Sequence, residues 1–261
     1  MELEFYHYLI AVVGSTFAGF INTLAGNGSA ITLTILTEIL QLPGNMANGT
    51  NRVGVIAQAS ASTFAFYKND KLDLTKESRP IIFITLGAIF GILVAIYVSN
   101  EQFKQVFRFM MVVMLFAILI KPKRWLQKSD SHKNLSPWVS IPLFLALGFY
   151  GGFIQMGMGV MFLIVAVLIA GYNIISANIL KAFVVALYTV VAIAVFHWQG
   201  FIDWKIGMVM AVGQTAGGWW TANFASNYPQ ADIWAYRVLV VVVIGALLNM
   251  FGIFQKVAEL F

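Results

Sequence analysis

Eight stretches of this chain are apolar for long enough to cross a lipid bilayer, and that property restricts the fold more than any motif. They fall near residues 3–25, 45–67, 80–98, 103–120, 137–155, 174–198, 206–225 and 233–254. A spanning helix needs about 20 apolar residues. Inside hydrocarbon no water satisfies a backbone N–H or C=O, so spanning segments must satisfy their own. Two further stretches, 29–42 and 158–171, are shorter and read as broken or re-entrant helices. The expectation is an all-α polytopic membrane protein with eight to ten hydrophobic segments. Only 10% of the residues are charged, against about 25% in soluble domains, so lipid rather than water is the suitable surroundings. The absence of cysteine excludes disulfides, thiol nucleophiles and zinc–thiolate sites.

The net charge of +5 is concentrated, since nine of the sixteen Lys and Arg residues occupy two short loops. One loop, 68–79, holds Lys68, Lys71, Lys76 and Arg79; the other, 121–136, holds Lys121, Lys123, Arg124, Lys128 and Lys133. Two spans separate the loops, so both lie on one side, which the positive-inside rule makes cytoplasmic. This distribution is one of membrane topology rather than of nucleic-acid binding. The acidic Met1-Glu-Leu-Glu start lacks the basic flank of a secretory signal, so the first apolar stretch is expected to remain in the mature protein. The second loop is the most polar part of the chain and ends at Pro137. It reads as a linker (121–136) between two transmembrane repeats, 1–120 and 137–261.

Splitting the chain there brings out an internal repeat. Gly19-Phe20 in the first half answers to Gly148-Phe149 in the second, and Gly26-Asn27-Gly28 to Gly157-Met158-Gly159. Gly26 precedes Thr50 by 24 residues, as Gly157 precedes Lys181. Asp73 and Asp203 close the third segments, the next helices carry Gly87-xxx-Gly91 and Gly213-xxx-Gly217, and the last carry Arg108 and Arg237. Small residues four apart let helix backbones approach closely in lipid. If all five segments of a half cross, the count is odd and the second half is inverted; if a short segment dips and returns, the repeats are parallel. The inverted arrangement is the one expected.

Paired broken helices at matching positions of two halves mark a transport site. The Gly26-Asn27-Gly28-Ser29 turn supplies flexible backbone, and its amides, Asn27 among them, are candidates to face an anion at the start of the following half-helix. With no preceding strand and no Walker lysine, a nucleotide loop does not fit. Three charged residues lie away from obvious loops, Glu38, Arg52 and Lys181, and each costs about 2.5–3.5 kcal/mol at a helix centre on insertion scales. Arg52 and Lys181 fall at nearly equivalent places in the repeat. Either each snorkels to the interface, or the two converge on an anion that offsets their repulsion. Helical spacing adds Asn51, Gln58 and Ser62 on one face, and Lys181 with Tyr188 on the matching face. Asn22, Gln155 and Gln214 contribute amides within apolar helices, either to an oxyanion or to neighbouring helices. Glu38 is a candidate proton carrier, although its nearness to Pro43 also suits an interfacial residue. His7, His132 and His197 form no metal-binding spacing.

The duplicated Gly-Phe and Gly-x-Gly pattern, Gly49-Thr50-Asn51 and the closing Asp resemble the TauE/SafE family, also called the toluenesulfonate uptake permeases. The resemblance covers nearly the whole chain. It implies a multi-pass carrier of the prokaryotic inner (cytoplasmic) membrane, cation-coupled, moving sulfite, thiosulfate or an organosulfonate. The glycine turns here read GNGS and GMGV, where the family more often has three successive glycines, and Leu180-Lys181 stands where a second Gly-Thr would. The lysine strengthens the case for a negatively charged substrate. The expected partners are a small anion, the bilayer and a coupling ion such as H+; a homodimer is allowed, nucleic acid and cofactors are not expected. An anion channel is the alternative. An intramembrane enzyme would need a nucleophile–base pair or metal ligands, for which the ingredients are missing.

Overall fold

The computed structural model describes residues 4–69, 71, 74, 77–99, 101–102, 109, 116, 135–153 and 155–250, with the side chains of 232, 242–243 and 245–250 left aside. Among them all regular structure is helical. In chain order these are α1 (Phe5–Leu24), α2 (Gly28–Thr34), α3 (Gly44–Lys68), α4 (Ser78–Ala95), α5 (Pro137–Phe153), α6 (Met158–Leu163), α7 (Ile174–Trp198), α8 (Trp204–Asn227) and α9 (Ala231–Met250). The short helices α2 and α6 each run on into a π-helical stretch, Ile35–Ile39 and Ile164–Ala170. Most of the expected span at 103–120, most of the linker, Asp73 and Arg108 lie outside the described residues.

Among the described residues, α1, α4 and α7 are both long and apolar enough to cross a membrane. Helix α3 is long but carries a polar core face, with Thr50, Asn51, Arg52, Gln58 and Ser62 all buried. Helices α7 and α8 start on side-chain caps. Asn173 Oδ1 accepts from Ser176 N at 2.8 Å at the start of α7, and Asp203 Oδ1 from Ile206 N at 3.0 Å at the start of α8.

Glycine contacts fix how the helices run. A Cβ on Gly213 would press on Val12 O and Thr16 N, and one on Gly217 on Thr16 O and Phe20 N, so α1 and α8 ascend together. A Cβ on Gly87 would press on Leu145 O and Phe149 N, and one on Gly91 on Phe149 O and Phe153 N, so α4 and α5 do likewise. Val53 against Gly207 and Gln58 against Gly218 make α3 parallel to α8. Helix α7 opposes α3: Phe201, just beyond its end, meets Gly49, whereas Lys181 near its start shares a cavity with Gln58. The starts of α4 and α7 are tied by the Tyr172 hydroxyl donating to the Glu77 carboxylate. Thus α1, α3 and α8 run one way and α4, α5 and α7 the other.

These contacts alter the residue pairing read from sequence. Val12, Thr16 and Phe20 meet Gly213 and Gly217 as Leu145, Phe149 and Phe153 meet Gly87 and Gly91. In these contacts Gly19-Phe20 packs as Gly152-Phe153 does, one helical turn beyond the Gly148-Phe149 with which the sequence pairs it. Gly19 lies against Gln214 O, the residue after Gly213, just as Gly152 lies against Ala88 O, the residue after Gly87. The physical reason is that a Gly-Phe pair recurs after one turn, and only a packing partner distinguishes the two. The same register makes Asn22 the counterpart of Gln155. It also makes Glu77, which precedes α4, the counterpart of Asp203, which precedes α8.

Candidate functional site

The two long helices α1 and α5 each stop at a break. Gly26 (φ 79°) follows α1 and Gly157 (φ 75°) precedes α6, both in the left-handed region that glycine enters at little cost. The breaks cross, for a Cβ on Gly26 or on Gly159 would overlap the other's main chain. Only glycine at both positions allows that approach.

A helix end leaves carbonyls without intrahelical partners, and here each broken end is met by a cation from a later helix. Lys181 of α7 donates to Asn22 O at 2.8 Å and Thr23 O at 3.1 Å, in the last turn of α1, and to Asn178 Oδ1 at 2.5 Å. Asn178 in turn donates to Leu24 O at 3.1 Å. Arg52 of α3 reaches the end of α5, donating to Gly151 O at 3.2 Å, Gly152 O at 2.8 Å and Gln155 Oε1 at 2.7 Å. A cation at a helix C-terminus is electrostatically favourable. Arg52 is 0% and Lys181 4% exposed, so the alternative that they snorkel outward does not hold. No carboxylate among the described residues lies in either hydrogen-bond shell.

Between these ends lies a small cavity lined by Asn22, Gln58, Ala59, Gln155, Met158, Gly159, Lys181, Ala182 and Val185. Its volume, about 10 Å³, is what one water needs. Its wall combines amides, an ammonium group and the first residues of α6, where a helix N-terminus is electropositive. All three hydrogens of the Lys181 ammonium are already given to protein oxygens, so it meets the cavity as a charge rather than as a free donor. Asn22 donates to Gln58 Oε1 at 2.7 Å, and Gln58 donates to Thr23 Oγ1 at 2.8 Å and Ser62 Oγ at 3.1 Å. Tyr188 stands behind the wall, donating to Gln155 Oε1 at 3.1 Å.

The structure thus gathers Asn22, Gln58, Gln155 and Lys181 at the cavity, with Arg52 and Tyr188 one hydrogen bond behind. Others named from the sequence lie apart from it. Asn51 is buried beside α2, accepting from Thr32 Oγ1 at 2.6 Å, with its Nδ2 unpartnered. Asn27 is buried at the α1–α2 break with Oδ1 unpartnered, and Gln214 is buried against Gly54 with Nε2 unpartnered. Glu38 is exposed on the first π-helical stretch and accepts from Thr37 Oγ1 at 3.1 Å. Sequence reasoning missed Thr23 and Asn178. Their signals were adjacency to Asn22 and a spacing of three residues from Lys181 on one helix face.

Apolar helices, three of them long enough to cross a membrane, around broken, cation-capped ends are the architecture of a polytopic membrane protein. The sequence model described as "Sulfite exporter TauE/SafE" matches residues 11–250, so the chain belongs to the TauE/SafE family of membrane transporters. It is 27% identical over 231 residues to "Probable membrane transporter protein ORF9" of Sinorhizobium sp, covering 88% of this chain and 86% of that protein. It is 26% identical over 204 residues to "Probable membrane transporter protein YfcA" of Escherichia coli K12, covering 77% of this chain and 74% of that one. A "Probable membrane transporter protein" of Haemophilus influenzae Rd is 28% identical over 202 residues, covering 77% of this chain and 78% of that protein. No solved structure matches the chain.

Proposed function

We propose that this protein is a secondary transporter for a small sulfur-containing oxyanion (sulfite, thiosulfate or an organosulfonate) in a prokaryotic cytoplasmic membrane. The carrying observation is the burial of Arg52 and Lys181, with no carboxylate partner among the described residues, beside an amide-lined cavity at two crossing helix breaks. Burying an ion costs several kcal/mol even after relaxation. Carbonyl oxygens offset part of that cost for each cation, and an anion bound in the cavity beside Lys181 supplies opposite charge.

The mechanism is alternating access between two inverted halves, 1–120 and 137–261. The opposed directions of α1, α3, α4 and of α5, α7, α8 support inversion, as does the matching glycine interface of α1 on α8 and α5 on α4. The cavity has room for about one water, so an oxyanion requires it to widen, and alternating access would widen it on one side at a time. Coupling to a cation, H+ first among them, would set the direction of net flux.

The test is sulfite uptake by proteoliposomes holding the wild-type protein, Arg52→Gln or Lys181→Gln, at sub-saturating sulfite. Removing a hydrogen-bonded charge from such a site costs about 1.5–3 kcal/mol, so each variant is expected to lose at least about tenfold in flux. Unchanged flux in both variants would remove the site from consideration.

A further inference from the structure

Resting on that transport reading, we propose that Arg52 is a positioning residue: it fixes the side-chain amide of Gln155 so that the NH2 group is the hydrogen-bond donor offered to the anion. An amide can present either end at nearly equal steric cost, and its neighbours decide which. A guanidinium has donors only. The atom of Gln155 facing Arg52 Nη1 at 2.7 Å must therefore be its oxygen, and the Tyr188 hydroxyl donates to the same oxygen from 3.1 Å. Turning the amide over would set N–H against N–H at Arg52.

With its oxygen held twice, Gln155 keeps its Nε2 free. That nitrogen makes no hydrogen bond among the described residues and belongs to a residue lining the cavity. Gln155 is itself 3% exposed, so the group faces the cavity rather than the surroundings. The three Lys181 hydrogens are committed elsewhere. Arg52 does not line the cavity, and its other bonds go to Gly151 O and Gly152 O, which also anchor the end of α5 on which Gln155 hangs. The site therefore divides the work: Lys181 supplies charge, Gln155 the directed donor, and Arg52 the orientation.

A double-mutant cycle on the full-length protein tests this, with sulfite as the probe and initial uptake rates measured over a range of sulfite concentrations. Gln155→Leu is expected to raise the KM for sulfite about tenfold or more, the usual loss for a hydrogen bond to a charged group, with a smaller change in maximal rate. Arg52→Gln is expected to raise KM in the wild-type background and by less than about twofold on top of Gln155→Leu, because it acts through that amide. An equal factor in both backgrounds, or an unchanged KM in Gln155→Leu, overturns the inference while leaving transport intact. Wild-type protein that carries no sulfite, thiosulfate or organosulfonate overturns the transport reading and this one with it. Where Arg52→Gln does not fold, Tyr188→Phe takes its place in the cycle, since it removes the other donor to Gln155 Oε1, and the same non-additivity is expected.

Discussion

Gly159→Ala is the most informative single change in this fold, because it adds one methyl group at the point where the two helix breaks cross. The new Cβ would fall inside contact distance of Gly26 Cα and within 2.9 Å of Gly26 C. Those atoms are main chain, so no rotamer change relieves the overlap. Gly26 sits at φ 79° and closes α1, so it cannot yield without disturbing the carbonyls that Lys181 caps. Overpacking of this kind costs about 1–3 kcal/mol, which lowers the melting temperature by about 2–12 °C for a chain of this size. Gly200→Ala is the control. Gly200 also has a positive φ, 70°, but nothing lies within 4 Å of its would-be Cβ, so only the left-handed backbone cost of about 1–2 kcal/mol applies. Melting in detergent is therefore expected to show both variants weakened, and flux to separate them: on the proposed function, Gly159→Ala loses sulfite uptake and Gly200→Ala keeps it. A Gly159→Ala protein with wild-type KM and maximal rate would refute the close crossing of the breaks.

Two further outcomes follow from the geometry. Asp203→Ala removes the cap on Ile206 N at the start of α8 and should cost about 1 kcal/mol, a fall of about 2–4 °C in melting temperature that Asp203→Asn largely avoids. Glu38 is exposed and does not line the cavity, so Glu38→Gln is expected to keep sulfite uptake driven by a pH gradient. Uptake in that variant that no longer responds to the gradient would instead make Glu38 the coupling carboxylate.

Much of this arrangement was legible in the sequence, and the limits of that reading have a physical cause. Segment lengths gave the helices to within a few residues where the structure describes them, because hydrocarbon thickness sets length directly. The equal spacing from Gly26 to Thr50 and from Gly157 to Lys181 pointed to the two breaks and to Lys181, with Arg52 two residues past Thr50. What the sequence could not supply was register. Gly148-Phe149 and Gly152-Phe153 are the same dipeptide one turn apart, and only the backbone of α4 distinguishes them. Nor could it supply the partners of Arg52, whose acceptors lie 99 to 103 residues away and are mostly carbonyls, which every residue possesses. Asn27, Asn51 and Gln214 share the polarity of the cavity amides, yet they face other neighbours, because polarity within a helix does not state direction.

The reciprocal packing of α1 on α8 and of α5 on α4 also bears on how the protein is made. At synthesis rates of about 5–20 residues per second, the glycines at 213 and 217 emerge ten seconds or more after the backbone at Val12 and Thr16 that they must meet. Throughout that interval the face of α1 that packs on α8 has no partner, so this part of the fold is completed only when the last part of the chain has been made.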